Sequence, residues 1–272
     1  MLAASEIDHH TPAAATPVEA AGPLKRDLVA GLEKGLAGIE AFDQERPRLT
    51  ISEVAARTNL TRAAARRYLL TLSHLGFVSQ DRKMFSLTAK VLRLGQSYLH
   101  SARLPRIVEP ELHKLAYMLK EASLAAVMDG DDVICIAATT AGRVVTSAPQ
   151  PGTRVPAHCS GTGRVLLAAM SQNDVDAFIA RQDLTPLTAH SITHPDRLRD
   201  EIARTRALGY ACVDQELEIG LRTLAVPLKN YRGDVVSAMN ILVHSSRMSM
   251  DQMVEQCLPP MLQTQAHLRM LL

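Results

Sequence analysis

A chain of 272 residues with 47% hydrophobic residues is long enough for one large domain or two ordinary ones, each with its own core. No stretch reaches the roughly 18 to 20 apolar residues that cross a bilayer, and the N-terminus lacks the residue succession of a secretory signal, so a soluble, cytoplasmic protein without membrane contact is expected. The formal charge of +2 is uneven: residues 47 to 104 hold ten Lys/Arg (Arg48, Arg57, Arg62, Arg66, Arg67, Arg82, Lys83, Lys90, Arg93, Arg103) against Glu53 and Asp81, whereas residues 105 to 272 hold 16 basic and 18 acidic groups, the balance of a polyanion-binding segment joined to a different kind of domain.

In chain order, residues 1 to 23 carry Pro12, Pro17 and Pro23 in an Ala/Thr-rich run and read as a disordered leader. Leu28, Val29, Leu32, Leu36, Ile39 and Phe42 recur at three- and four-residue intervals, which predicts an amphipathic helix over 27 to 43 that ends near Pro47. A short helix over 51 to 58 with Ser52 as N-cap follows, then one over 62 to 75 with Thr61 as N-cap and Gly76 as terminator. The three residues Asn59-Leu60-Thr61 force these two helices to cross steeply, which is a helix-turn-helix. Residues 77 to 80 and 84 to 87 read as two short strands around the polar tip Asp81-Arg82-Lys83, a wing. Residues 90 to 102 are again helical by period, and Leu104-Pro105 is expected to break that helix.

The second half mixes helices and strands in an order that predicts an antiparallel sheet with helices packed on it. A helix over 107 to 121 precedes strands at 124 to 128 and 133 to 138, which flank the hairpin composition Asp129-Gly130-Asp131-Asp132. Further strands are expected at 144 to 148, 210 to 213, 222 to 227 and 235 to 243. Helices are expected at 158 to 170, 174 to 180, 196 to 208 (ended by Gly209) and 249 to 271.

Chemistry concentrates in three places. In the third helix Ala65, Leu69 and Leu72 are spaced for the core, which leaves Arg62, Ala63, Arg66 and Arg67 on the opposite face. Such a face fits the major groove, where arginine reaches guanine edges and alanine permits close approach; Thr61 at the helix start completes the set, and Arg82 and Lys83 at the wing tip are placed for phosphate or the minor groove. The alternative, a solvated charged face, loses ground because turn, wing and charge asymmetry agree.

The run Pro156-Ala157-His158-Cys159-Ser160-Gly161-Thr162-Gly163-Arg164 opens a helix with a glycine-rich turn, whose N–H groups and dipole suit a carboxylate or phosphate. It matches neither the phosphate-binding loop nor the dinucleotide fingerprint, and no G-x-S-x-G elbow supports a nucleophile, so His158 reads as a capping or packing residue. The run Val213 to Thr223 carries Asp214, Glu216, Glu218 and Arg222, which suits either acid–base chemistry or a solvated loop with local ion pairing. Cys135, Cys159, Cys212 and Cys257 show no C-x-x-C spacing, so neither disulfides nor a metal site is expected.

From about residue 25 onward the chain resembles the IclR-type bacterial transcription regulators. The resemblance rests on Leu49 to Leu75 with Arg62, Arg67 and Leu72, on Pro156 to Ala168, and on Val213 to Glu216 with Gly220-Leu221-Arg222. The wording Arg46 to Thr50, Leu60 to Arg67 and Asp214 to Glu218 is similar to the branch that regulates aromatic-acid catabolism through the β-ketoadipate pathway. The resemblance implies an α+β protein: a winged helix-turn-helix over 24–89, a linker helix over 90–104, and a GAF-like effector-binding and oligomerisation domain over 105–272. It implies dimers commonly paired into tetramers, and a pocket drawn from Val144, Ser147, Gly161, Thr162, Asp214, Thr223, Asn240 and Leu242. The sequence departs from the family at Thr223, where cysteine is common, and at Asn240 and Leu242, where small hydroxyl residues are frequent.

The expectation is a homo-oligomeric, ligand-responsive regulator that binds double-stranded operator DNA and a small carboxylate, with no catalytic residues and no cofactor. Two alternatives stand beside it. One is an enzyme acting on a small carboxylate with a fused DNA-binding domain, and the other is a constitutive DNA-binding protein without effector.

Overall fold

A computed structural model describes residues 25–43, 45–140 and 150–272, and the chain divides into two compact units at Val91/Leu92. The leader at 1 to 23 and the strand expected at 144 to 148, with Val144 and Ser147, lie outside the described residues.

The first unit opens with a short 3-10 turn (Lys25–Asp27) and α1 (Ala30–Glu40). The single helix expected over 27 to 43 is shorter because Val29 is extended (φ −89°, ψ 90°), and the apolar stripe that predicted it is exposed at Leu28, Val29, Leu32 and Leu36. Gly38 and Ala41 are the buried residues at this end, with Ile39 and Phe42 packed beside the core. After α1, Asp43 turns the chain by accepting a hydrogen bond from Arg46 N (2.7 Å) and pairing with Arg57.

Thr50, not Ser52, caps α2 (Ile51–Arg57): its hydroxyl accepts from Glu53 N while the Glu53 carboxylate accepts from Thr50 N, a reciprocal capping box. Ser52 therefore sits inside the helix. Val54 and Ala55 of α2 and Ala65, Leu69 and Leu72 of α3 (Arg62–His74) bury against Leu49, Val78 and Phe85. β1 (Val78–Asp81) and β2 (Met84–Leu87) form the antiparallel wing, and a bridge between Leu49 and Phe85 ties it to the segment before α2. The Lys90 ammonium donates to Leu75 O (2.6 Å), neutralising the carbonyl end of α3.

The second unit begins with α4 (Leu92–Ser101) and α5 (Arg103–Leu119). The break expected at Leu104-Pro105 falls at Ala102, which is extended (φ −75°, ψ 130°). Pro105 stands in the first turn of α5, where a helix has no use for the backbone N–H that proline lacks. The sheet has the order β5-β4-β3-β8-β7-β6, with every neighbouring pair antiparallel. Its strands are β3 (Ala122–Asp129), β4 (Asp132–Thr139), β5 (Arg154–Pro156), β6 (Ala211–Asp214), β7 (Leu221–Lys229) and β8 (Val235–His244).

The Asp129↔Asp132 pair closes on Gly130-Asp131, and Gly130 takes φ 64°, as a two-residue hairpin requires. Strand β5 escapes sequence reading because three residues carry no period; Arg154 holds it by pairing with Asp129 and Asp132.

One sheet face, with Leu124, Ala225, Ala238 and Leu242, packs against α6 (Gly161–Ala168), α7 (Gln172–Arg181) and α8 (Pro195–Leu208). The other, with Leu224, Val226, Met239 and Ile241, packs against α5 and α9 (Met250–Arg269). β8 is buried on both faces, which explains its nearly unbroken apolar run.

Candidate functional site

Two surfaces carry chemistry, one in each unit. In the first, the Thr61 hydroxyl accepts from Ala64 N (3.2 Å) and so fixes where α3 begins, three residues after α2 hands over at Thr58 and Asn59 adopts φ 52°. With Ala65, Leu69 and Leu72 turned inward, Thr61, Arg62, Ala63, Arg66 and Arg67 are all exposed. Arg82 and Lys83 are exposed at the wing tip, where Arg82 takes φ 54° and its carbonyl accepts from Gln80 Nε2 (2.9 Å).

Two other arginines of this unit are neutralised, Arg48 by Asp81 (2.7 Å) and Arg57 by Asp43. Arg62, Arg66, Arg67, Arg82 and Lys83 form no ion pair among the described residues. Five uncompensated cations on a groove-width helix and a hairpin tip make an anion-facing surface.

In the second unit the site is built around the start of α6. Ser160, extended at φ −115°, caps the helix by accepting from Gly163 N (3.1 Å); His158, expected to cap or pack, lies just before it in a 3-10 segment (Ala157–Cys159), where it is buried and packs but caps nothing. The helix start lies hard against its neighbours. A Cβ at Gly163 would stand 2.2 Å from Ala157 O, and one at Gly161 would stand 2.8 Å from Thr223 Oγ1.

Thr223 pairs with Leu242, and Ala225 with Asn240, across β7 and β8. Thr223, Asn240 and Leu242 thus share the sheet face that meets α6, and all three are buried together with Gly161 and Thr162. Thr223 Oγ1 and Asn240 Oδ1 have no hydrogen-bond partner there. Buried polar atoms are nearly always satisfied, so two orphans on one wall mark a place where a ligand or water completes the bonding.

Asp214 does not join this group. It pairs with Arg222 across β6 and β7, and Arg222 and Thr223 alternate, so the Asp214 carboxylate lies on the opposite sheet face. Arg222 Nε donates to it (2.8 Å), holding its acid below the ordinary carboxylate value, and the same guanidinium donates to Ser245 O (3.1 Å) and Met248 O (2.7 Å). The local ion pairing weighed from sequence is what forms here.

Sequence reasoning missed a further pair. Arg164, only 1% exposed, donates through Nη2 to Glu216 (2.5 Å), which is 7% exposed; no sequence signal links residues so far apart. His158 is buried with both ring nitrogens unpartnered, and burial, with the Arg164 charge second, depresses its pKa. Burial pushes the Cys159 thiol up to about 12, the opposite of an activated nucleophile. No cluster of His, Cys, Asp or Glu among the described residues is arranged to hold a metal. Nor is any helix among them long and apolar enough to cross a membrane.

Comparison with known proteins agrees with this division. Residues 31–82 match the IclR helix-turn-helix domain, and residues 96–268 match the bacterial transcriptional regulator IclR C-terminal domain. The Pca regulon regulatory protein of Pseudomonas putida is 38% identical over 259 residues, which span 92% of this chain and 89% of that protein. A putative transcriptional regulator from Rhodococcus sp. RHA1 superposes with a TM-score of 0.75 at 40% identity, covering 89% of this chain and 97% of its own. The inducer-binding domain of a PobR double mutant from Acinetobacter, solved with 3-hydroxybenzoic acid, gives a TM-score of 0.60 at 27% identity over 63% of this chain and 100% of its own. With a DNA-reading head and a C-terminal sensing domain both matched in order, the chain belongs to the IclR family of bacterial transcription regulators.

Proposed function

We propose that this regulator senses a small hydroxylated aromatic carboxylate at the start of α6 and controls genes for the breakdown of such acids. The observation that carries the reading is the pair of buried, unpartnered atoms Thr223 Oγ1 and Asn240 Oδ1 facing that helix. The carboxylate accepts from the N–H groups of Gly161 and Thr162, which the Ser160 cap on Gly163 N does not take up, and from the Thr223 hydroxyl. A ring hydroxyl donates to Asn240 Oδ1, and Leu242 supplies apolar contact. The hydroxybenzoate held by the PobR domain supports this ligand class. Val144 and Ser147 are proposed to complete the wall, and Asp214 acts through its Arg222 pair rather than by touching ligand.

DNA is read by Thr61, Arg62, Ala63, Arg66 and Arg67 in the major groove, with Arg82 and Lys83 of the wing on phosphate or the minor groove. The protein works as a dimer or tetramer in the cytoplasm, on a pseudo-palindromic operator whose half-sites match its symmetry. Residues 90–104 connect the DNA-binding segment at 24–89 to the sensing segment at 105–272. The effector acts by binding one conformation of the assembly more tightly than the other. No chemical step is involved.

A thermal-shift panel of benzoate, 4-hydroxybenzoate, 3-hydroxybenzoate, protocatechuate and aliphatic acids tests the reading, followed by operator binding with and without the best ligand. A raised Tm for hydroxylated aromatic acids and an altered operator affinity are expected. Stabilisation by aliphatic acids alone, or turnover of any panel member, overturns it.

A further inference from the structure

A second cleft, of about 590 Å³, lies at the free edge of β6, between one face of α8 and the first turns of α9. That volume suits a small molecule. Its lining, which also holds Glu201, Asp214 and Glu216, presents unpaired groups of opposite charge: Arg197 from α8, and Asp251 and Glu255 from α9. None of the last three forms an ion pair among the described residues, whereas Arg204 of the same lining has Glu201 at 3.6 Å. Tyr210, Leu208 and Val254 add apolar surface.

Arg164, 1% exposed, also lines the cleft; Glu216 takes only its Nη2, and its Nε is buried without an acceptor. A guanidinium with an unspent N–H in the same lining as an unpaired arginine calls for an anionic oxygen. The carboxylates opposite call for a cation, and the apolar strip between them for hydrocarbon.

We infer that this cleft is a second small-molecule site, which takes an α-amino acid with an apolar side chain. Its carboxylate faces Arg164 and Arg197, its ammonium faces Asp251 and Glu255, and its side chain lies on Tyr210 and Val254. A simple carboxylate leaves the acidic wall unpaired, and a simple amine leaves the arginines unpaired, so the site selects a molecule with both ends. Arg164 follows the glycine turn by one residue, so occupancy here bears on the helix that opens the first site.

The test is calorimetric titration of the full chain at neutral pH with L-leucine and L-phenylalanine. Two probes are compared with leucine: 4-methylpentanoate, which lacks the ammonium, and 3-methylbutylamine, which lacks the carboxylate. Saturable binding of at least one amino acid, one per chain, is expected, with each single-ended probe about tenfold or more weaker. Arg197→Glu and Glu255→Lys change exposed residues, and each is expected to weaken the amino acid by a similar factor with Tm retained; Arg197→Gln and Glu255→Gln serve if either reversal lowers Tm. The inference is overturned by any of four results: no saturable amino-acid binding, equal binding of either single-ended probe, unchanged affinity in the variants at both positions, or competitive displacement by 4-hydroxybenzoate, which would put the amino acid at the α6 turn.

Discussion

Under the proposed function, Asn240 is the residue on which ligand chemistry turns. Its Oδ1 is buried and unpaired, so Asn240→Leu removes an orphan acceptor as well as a ligand contact. Affinity for a hydroxylated aromatic acid is expected to fall about tenfold or more, while stability in urea stays level or rises, because an unsatisfied buried polar atom costs about 1–3 kcal/mol. A fall in both together would make Asn240 a structural residue. On the DNA side, Arg66→Ala and Lys83→Ala separate two kinds of contact. The first is expected to cost about 1–3 kcal/mol of operator binding and relax sequence preference, and the second to weaken all duplexes alike and reduce the salt slope by about one. Fluorescence anisotropy across a salt series reads both.

At the level of elements, one glycine tests how closely α6 is docked and a second, in α4, serves as its open-space control. Gly163→Ala would drive a methyl to 2.2 Å from Ala157 O, a backbone atom that can give way only by moving the 3-10 segment, and is expected to destabilise by about 1–3 kcal/mol. Gly95→Ala in α4 meets nothing within 4 Å and is expected to stabilise by about 0.5–1 kcal/mol by restricting the unfolded chain. Urea midpoints of the two variants should move in opposite directions.

These elements also show where sequence reasoning reaches. α3 was legible because period, N-cap and turn length all point the same way, and Ala65, Leu69 and Leu72 are the residues buried. The start of α2 at Ile51 was legible, but its cap was misplaced by two residues: Ser52 and Thr50 are both competent caps, and only the reciprocal bonds with Glu53 choose between them. Proline in a first turn looks like a breaker from sequence, which hid the true start of α5 at Arg103. In the proposed ligand region, Thr223, Asn240 and Leu242 are brought together by strand register and meet Gly161 and Thr162 at the start of α6. Asp214 is separated from them by the parity of one strand pair, which no linear pattern records. The Arg164–Glu216 pair was invisible for the same reason, since it bridges two elements that only the fold makes adjacent.

For the molecule as a whole, His158 sets a pH dependence. Its folded pKa is depressed by burial and by Arg164, below the ordinary 6.5, so the unfolded chain takes up a proton that the folded chain refuses. The stability it contributes is fully present above about pH 6.5 and is lost as pH falls through the folded value. Denaturation midpoints are expected to decline between pH 7.5 and 5.5, and His158→Met should flatten the decline; an equal slope in that variant would assign the effect to other groups.

The three buried clusters carry a last consequence. One, centred on Leu49, Leu69 and Phe85, is built wholly from residues before Val91, and the other two wholly from residues after it. A chain in which, among the described residues, no buried cluster crosses residue 91 can exchange its parts as whole pieces. A recombination event near that point would hand the same sensor a new operator, or the same operator a new signal, without asking either interior to be rebuilt. New regulatory circuits of this kind can therefore arise by splicing heads, and only the connecting segment would then need to adapt.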